Sequence, residues 1–183
     1  MQKTDLESYN NFPYHPGGSA VKRILWYYIN GFVFKTSLFP VYGIKVALLR
    51  LFGAKIGRRV EVKPCVNIKY PWLLTIGDEV WIGEDVWIDN LVEVTIGSNV
   101  CLSQGAVILT GSHNYKKTSF NLITGNVVIE DGVWVGAKAI VTQGIILASH
   151  AVLTAGSVAT KNLENYCIYQ GNPAVKVRER EIS

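Results

Sequence analysis

Apolar residues recur along most of this chain with a period of six. Aliphatic side chains fall at Ile56, Val62 and Ile68, at Ile76, Ile82 and Ile88, at Ile96, Leu102 and Ile108, and, after a break, at Ile129, Val135, Val141, Leu147 and Leu153, with Ala159 closing the series. A second column four places further on is also apolar or small, running from Val60 and Val66 through Val86 and Ala106 to Ala151, Ser157 and Leu163. A six-residue unit cannot bury its apolar side alone, whereas stacked turns share one continuous core. Fifteen hexads make five three-sided turns, so the pattern predicts an all-β solenoid, a parallel β-helix of about five coils over residues 53–164. A sandwich would also alternate, but it would not hold this phase with turn residues at a fixed place. Glycine follows the aliphatic position at Gly57, Gly77, Gly83, Gly97 and Gly136, where tolerance of positive φ would serve a corner.

The phase slips by two residues between Ile68 and Ile76 and again between Ile88 and Ile96, and by three between Ile108 and Ile129. Insertions in solenoids map to loops, often on the binding face, so a protruding loop is predicted near residues 109–128.

Upstream, residues 19–52 are strongly apolar but carry Lys22, Arg23, Lys35, Lys45, Arg50 and Pro40. They read as two helices broken near Pro40. No uncharged run reaches the roughly 18 to 20 residues that span a bilayer. Two roles stay open for this basic, aromatic segment of residues 1–52: capping the terminal coil, or lying in a membrane interface with Trp26, Tyr27, Tyr28 and Phe32 at headgroup depth. Charge sharpens the division. Residues 1–69 hold 11 Lys and Arg against 3 acids, whereas the rest of the chain holds 7 against 11.

A hydrophobic fraction of 49% over 183 residues excludes a disordered chain. Cys65, Cys101 and Cys167 are too few and too scattered for a disulfide framework, and the N-terminal residues lack the features of a secretory signal, so a cytoplasmic location is expected. Of three histidines, His15 precedes the solenoid, and His113 and His150 lie 37 residues apart, about two turns. A catalytic zinc needs three protein ligands, so no metal is expected. His113, in ILTGSHNYKKTSF where the repeat breaks, is either a surface-loop histidine or a general base.

The runs IGDEVWIGEDVWIDN, VTIGSNVCLSQGAVILTGSHNY, VVIEDGVWVGAKAIVTQGIIL, VLTAGSVATKN and QGNPAVKVRER resemble the hexapeptide-repeat acyltransferases, most of all the colanic-acid-type polysaccharide O-acetyltransferases. The resemblance covers roughly residues 50–180. It implies a left-handed β-helix, a homotrimer with active sites between subunits, acetyl-CoA as co-substrate and a sugar or glycan acceptor; neither a metal nor a nucleic-acid partner is implied. The family's catalytic histidine falls on His113, and its acceptor-contacting asparagine on Asn90, with Asp89 beside it. Asn90 can also be read as a turn residue at left-handed φ. The family's coenzyme contacts fall on Ala137, Ala155, Gly156 and Thr160. The C-terminal tail, residues 165–183, supplies Arg178 for the nucleotide phosphates, and Lys176 stands next to the second expected basic position, which is Val175 here. A soluble sugar or an antibiotic-like hydroxyl compound is the alternative acceptor, and a non-catalytic assembly solenoid the alternative outside enzymes.

Overall fold

The computed structural model describes residues 3–183; Met1 and Gln2 lie outside the described residues. Its body is a three-sided parallel solenoid. Face A stacks Lys55–Ile56, Leu74–Ile76, Val94–Ile96, Val127–Ile129 and Ile146–Leu147. Face B stacks Glu61–Val62, Trp81–Ile82, Cys101–Leu102, Trp134–Val135 and Val152–Leu153, and face C stacks Asn67–Ile68, Trp87–Asp89, Val107–Leu109, Ile140–Val141 and Val158–Ala159. Registry is exact: Val62, Ile82, Leu102, Val135 and Leu153 pair in one column. Each of these five is fully buried, as are Val66, Val86, Ala106, Ala139 and Ala151 of the second column, whereas its members at the slips, Trp72, Val92 and Ser112, are only partly buried. Each strand is only two or three residues long, so its stability comes from this shared core and from backbone bonds to the coils on either side.

The solenoid exceeds the five coils read from the hexads. Leu163 bridges back to Leu147 on face A, and Cys167–Gly171 stacks on Val152–Leu153, starting a sixth turn. The strand Ala174–Glu179 then folds back antiparallel on Cys167–Gly171 and ends the sheet of face B. Ala159 therefore does not close the series. The hexad phase is lost there because the continuation is spaced by turns rather than by six.

The corner glycines are in the right places for a different reason. Gly57, Gly77, Gly83, Gly97 and Gly136 are not among the residues with positive φ. A Cβ on Gly136 would stand 2.5 Å from the Ala155 nitrogen of the next coil, and one on Gly77 would stand 2.8 Å from the Gly97 carbonyl carbon. Glycine is needed there so that neighbouring coils can approach. Left-handed residues sit two places further on, at Arg59, Cys65, Glu79, Asp85, Asn99, Lys138 and His150 and at Gly105, Gly132 and Gly156.

The N-terminal segment forms α1 (Ala20–Ile29), a wide turn at Asn30–Phe34 and α2 (Tyr42–Leu51). Ser19 caps α1 by accepting from the Lys22 amide. Trp26 is buried between Phe34 and Phe52 and donates its indole N–H to the Ile68 carbonyl at 2.9 Å. With Val46, Leu49 and Ala54, these side chains continue the solenoid core beyond its first coil. Lys45 is buried among them and donates to the Lys63 carbonyl at 2.8 Å, and burial lowers its pKa. The helices thus cap the first coil. No helix among the described residues is long and apolar enough to cross a membrane.

Candidate active site

All three phase slips fall at one corner, where face C passes to face A. The second slip places Asn90 there. Its side chain is fully buried, accepting from the Tyr70 amide at 3.0 Å and donating to the Tyr70 carbonyl at 2.6 Å. The same edge continues one coil on, where the Thr110 hydroxyl donates to the Asp89 carbonyl at 3.0 Å and accepts from the Val92 amide. Asn90 is not at positive φ, and its buried amide is committed to the neighbouring coil, where it holds the corner. Asp89 points outward from face C and forms an ion pair with Lys69 at 2.8 Å that lacks hydrogen-bond alignment.

From Thr110 the chain leaves the solenoid as a hairpin, Gly111–His113 pairing antiparallel with Leu122–Thr124, and it rejoins through Gly125, whose amide donates to the Thr110 carbonyl at 2.9 Å. His113 ends the outgoing strand, half-buried. Its ring stacks on Phe120 at 4.5 Å and 4°, with Tyr9 at 5.8 Å on another side. Nδ1 lies 2.9 Å from the Phe120 carbonyl oxygen. A carbonyl only accepts, so that nitrogen carries the proton in the neutral ring and leaves the Nε2 lone pair available. This is the arrangement a general base requires.

Residues 5–10 strap this hairpin in place, with the Asp5 amide donating to the Thr118 carbonyl at 2.9 Å and the Asn10 amide donating to Asn121 Oδ1 at 3.0 Å. Further along the strap, the Tyr14 hydroxyl is buried with no hydrogen-bond partner among the described residues, and burial, with Tyr70 and Asp89 nearby, pushes its pKa up. Beside it a cavity of about 770 Å³ opens between α1 and the first coils of face C, lined in part by Arg23, Tyr27, Lys35, Tyr70, Trp87 and Asp89. No periodicity announces the strap, so the pattern of the sequence missed it; the aromatic density at Tyr9, Phe12 and Tyr14 was its one visible sign.

No family model matches the chain. The candidate colanic acid biosynthesis acetyltransferase WcaF of Escherichia coli (strain K12) is 39% identical over 164 residues, 90% of each chain. The chain belongs to the hexapeptide-repeat acetyltransferases. The galactoside O-acetyltransferase of Escherichia coli (strain K12) is 25% identical over 136 residues, 73% of this chain and 67% of that one. Among solved structures, the hexapeptide-repeat acetyltransferase VCA0836 of Vibrio cholerae, complexed with acetyl coenzyme A, superposes with a TM-score of 0.79 at 24% identity, over 91% of this chain and 92% of that one. A maltose O-acetyltransferase from Clostridium difficile 630 gives 0.75 at 23% identity, over 88% of each. The fold is the left-handed parallel β-helix of this family.

The coenzyme positions that the family pattern suggests border the same face. Ala137 and Gly156 stack on consecutive coils at the corner entering face C, the Gly156 amide donating to the Ala137 carbonyl at 2.9 Å, and Ala155 is exposed beside them. Thr160 lies across the face, just after Val158–Ala159 and on the side from which the hairpin leaves. Between them the outward column of face C runs Trp87, Val107, Ile140, Val158. The two tail bases differ. Lys176 is engaged by Glu164 at 3.0 Å and Glu179 at 3.7 Å, and the Glu164 carboxylate raises its pKa. Arg178 is exposed opposite Ile168 and makes no ion pair among the described residues.

Proposed function

We propose that this protein is an acetyl-CoA-dependent O-acetyltransferase acting on a sugar hydroxyl of a surface polysaccharide or its lipid-linked precursor, with His113 as general base. The observation that carries this reading is the orientation of His113, whose Nδ1 is anchored on the Phe120 carbonyl so that Nε2 remains free to accept a proton. Nε2 takes the proton of the acceptor hydroxyl as its oxygen attacks the thioester carbonyl. The C–S bond then breaks, the imidazolium returns the proton to the leaving thiolate, and the products are the acetyl ester and free CoA thiol. Transfer is direct, within a complex holding both substrates.

Asp89 is the acceptor contact, with Asn90 beneath it supporting the corner. The thin pantetheine arm lies against the small residues Ala137, Ala155 and Gly156 and reaches Thr160 over the apolar column of face C. Arg178 is the better placed base for the nucleotide phosphates, because Lys176 already has two carboxylates. The protein works as a homotrimer with sites completed between adjacent subunits, in the cytoplasm and peripherally at the inner membrane surface. WcaF supports the glycan side of this reading through its name and its 39% identity.

The test is release of CoA thiol from acetyl-CoA in the presence of candidate glycan acceptors, followed by ester detection on the acceptor. Absence of CoA binding by calorimetry would sink the proposal. Turnover on small hydroxyl compounds alone would replace the glycan by a soluble acceptor.

A further inference from the structure

Helix α1 hides one apolar stripe and displays another. Trp26 and Ile29 face the solenoid, whereas Val21, Ile24, Leu25 and Tyr28, spaced by three and four residues and continued by Phe32, face outward; Ile24 is 58% exposed and Phe32 72%. On a helix of 3.6 residues per turn that spacing is a single face. The cap's second helix repeats the arrangement: Val46 and Leu49 point inward, and Ile44 and Leu51 lie outside, with Leu38, Phe39 and Val41 exposed in the connection before it. An ordinary surface helix spends its one apolar stripe on the core. Here the apolar residues suffice for the core and for a second contact.

The charge around this face selects its occupant. From Ser8 to Val60 there is no Asp or Glu, and of the eight Lys and Arg in the same stretch Lys45 is buried and Arg58 and Arg59 are paired with Asp78 and Glu79, which leaves Lys22, Arg23, Lys35, Arg50 and Lys55 without a carboxylate partner among the described residues. A second copy of this face would bring cations against cations. A bilayer with anionic headgroups satisfies both features at once, taking the apolar stripe to the depth of the acyl boundary and the bases into the headgroup layer. We propose that the outer face of the helical cap docks in plane on an anionic membrane surface, through Val21, Ile24, Leu25, Tyr28 and Phe32 with Lys35 at its edge. Tyr27 and Tyr28 suit the headgroup level, where a ring can be half apolar and half wet. The cavity between α1 and face C shares Ile24 and Tyr27 with this side of the cap, so an acceptor carried on a lipid would arrive at its mouth. This inference rests on the proposed function for the membrane location only, and not for the chemistry.

The test is co-sedimentation of the full chain with vesicles of phosphatidylcholine alone and of phosphatidylcholine mixed with phosphatidylglycerol, without acetyl-CoA. Binding is expected on the mixed vesicles only, weakening as salt rises, and is expected to fall at least about tenfold in Leu25→Asp/Phe32→Asp, which removes two apolar side chains from the interface. Both residues are solvent-exposed, so an unchanged melting temperature accompanies the loss. Undiminished binding of that variant, or equal recovery on neutral vesicles, would overturn the proposal. So would a lower mass of the assembly for that variant by light scattering, because the face would then be a contact between copies. Thiol release with a soluble acceptor, measured without vesicles, fails or succeeds separately.

Discussion

At the corners from face A to face B and from face B to face C, the chain turns through a residue at positive φ three places after the buried aliphatic one. Arg59, Glu79 and Asn99 do so at the first corner, and Cys65, Asp85 and Lys138 at the second. At the corner from C to A the first three coils abandon this device. They turn instead through a helical turn at Pro71–Leu73, through Asn90 bonded to Tyr70, and through Thr110, from which the hairpin of His113 departs. Two edges of the prism repeat, and the third carries the irregularities, among them the hairpin of His113. Away from the proposed coenzyme positions, a change in the repeating coils is therefore expected to act on stability alone, and a change on the slipped edge to act on turnover as well.

The largest expected separation is at His113. His113→Ala should lower the rate of acetyl transfer by about 10²- to 10⁴-fold, the usual worth of a general base, with the thermal midpoint nearly unchanged; a rate within tenfold of the original would remove the hairpin from the chemistry. Leu102→Ala, in a fully buried column of the regular part, should instead cost about 2 to 5 kcal/mol in denaturant unfolding and leave the rate per folded molecule intact.

Asn90→Ala tests the slipped edge itself. It strands the Tyr70 amide and carbonyl, so stability should fall by about 1 to 3 kcal/mol, and kcat should fall as the hairpin's root shifts while KM for acetyl-CoA holds. An unchanged kcat would mean that the corner and the hairpin are independent. The smallest effect is expected at Asp85, a left-handed residue on the repeating edge. Asp85→Gly relieves the backbone strain but enlarges the unfolded ensemble, so a net gain of about 0.5 to 1 kcal/mol should appear as a raised thermal midpoint with no kinetic change.

The same contrast explains what the sequence disclosed. The buried columns were legible because each of the three faces of a coil meets the same environment, which imposes period six on Ile56, Val62 and Ile68 and again on Ile76, Ile82 and Ile88. The positions of the corner glycines were legible too, but not their cause, since the approach of the Ala155 nitrogen to Gly136 belongs to coils 18 or 19 residues apart. His113 stood out where the phase broke. Its anchor on the Phe120 carbonyl did not, because any residue type supplies a carbonyl. Asn90 reads as an acceptor contact or a turn residue, and its two bonds to the Tyr70 backbone, which lies 20 residues away in the chain, are invisible to the pattern. On α1 the periodicity was present and pointed the other way: the cleanest stripe, Val21 through Phe32, faces outward.

The strap over the hairpin has one further consequence, which concerns biosynthesis. Coils of this solenoid can be laid down one after another as the chain emerges, each on the edge of the one before. Asn10, however, bonds to a side chain 111 residues further on, and the Asp5 amide meets Thr118. These two bonds, from residues that precede every coil, must wait for the third coil and its hairpin before they can form. Vectorial synthesis thus reverses the order of assembly here, and the strap of residues 5–10 is among the last parts to settle.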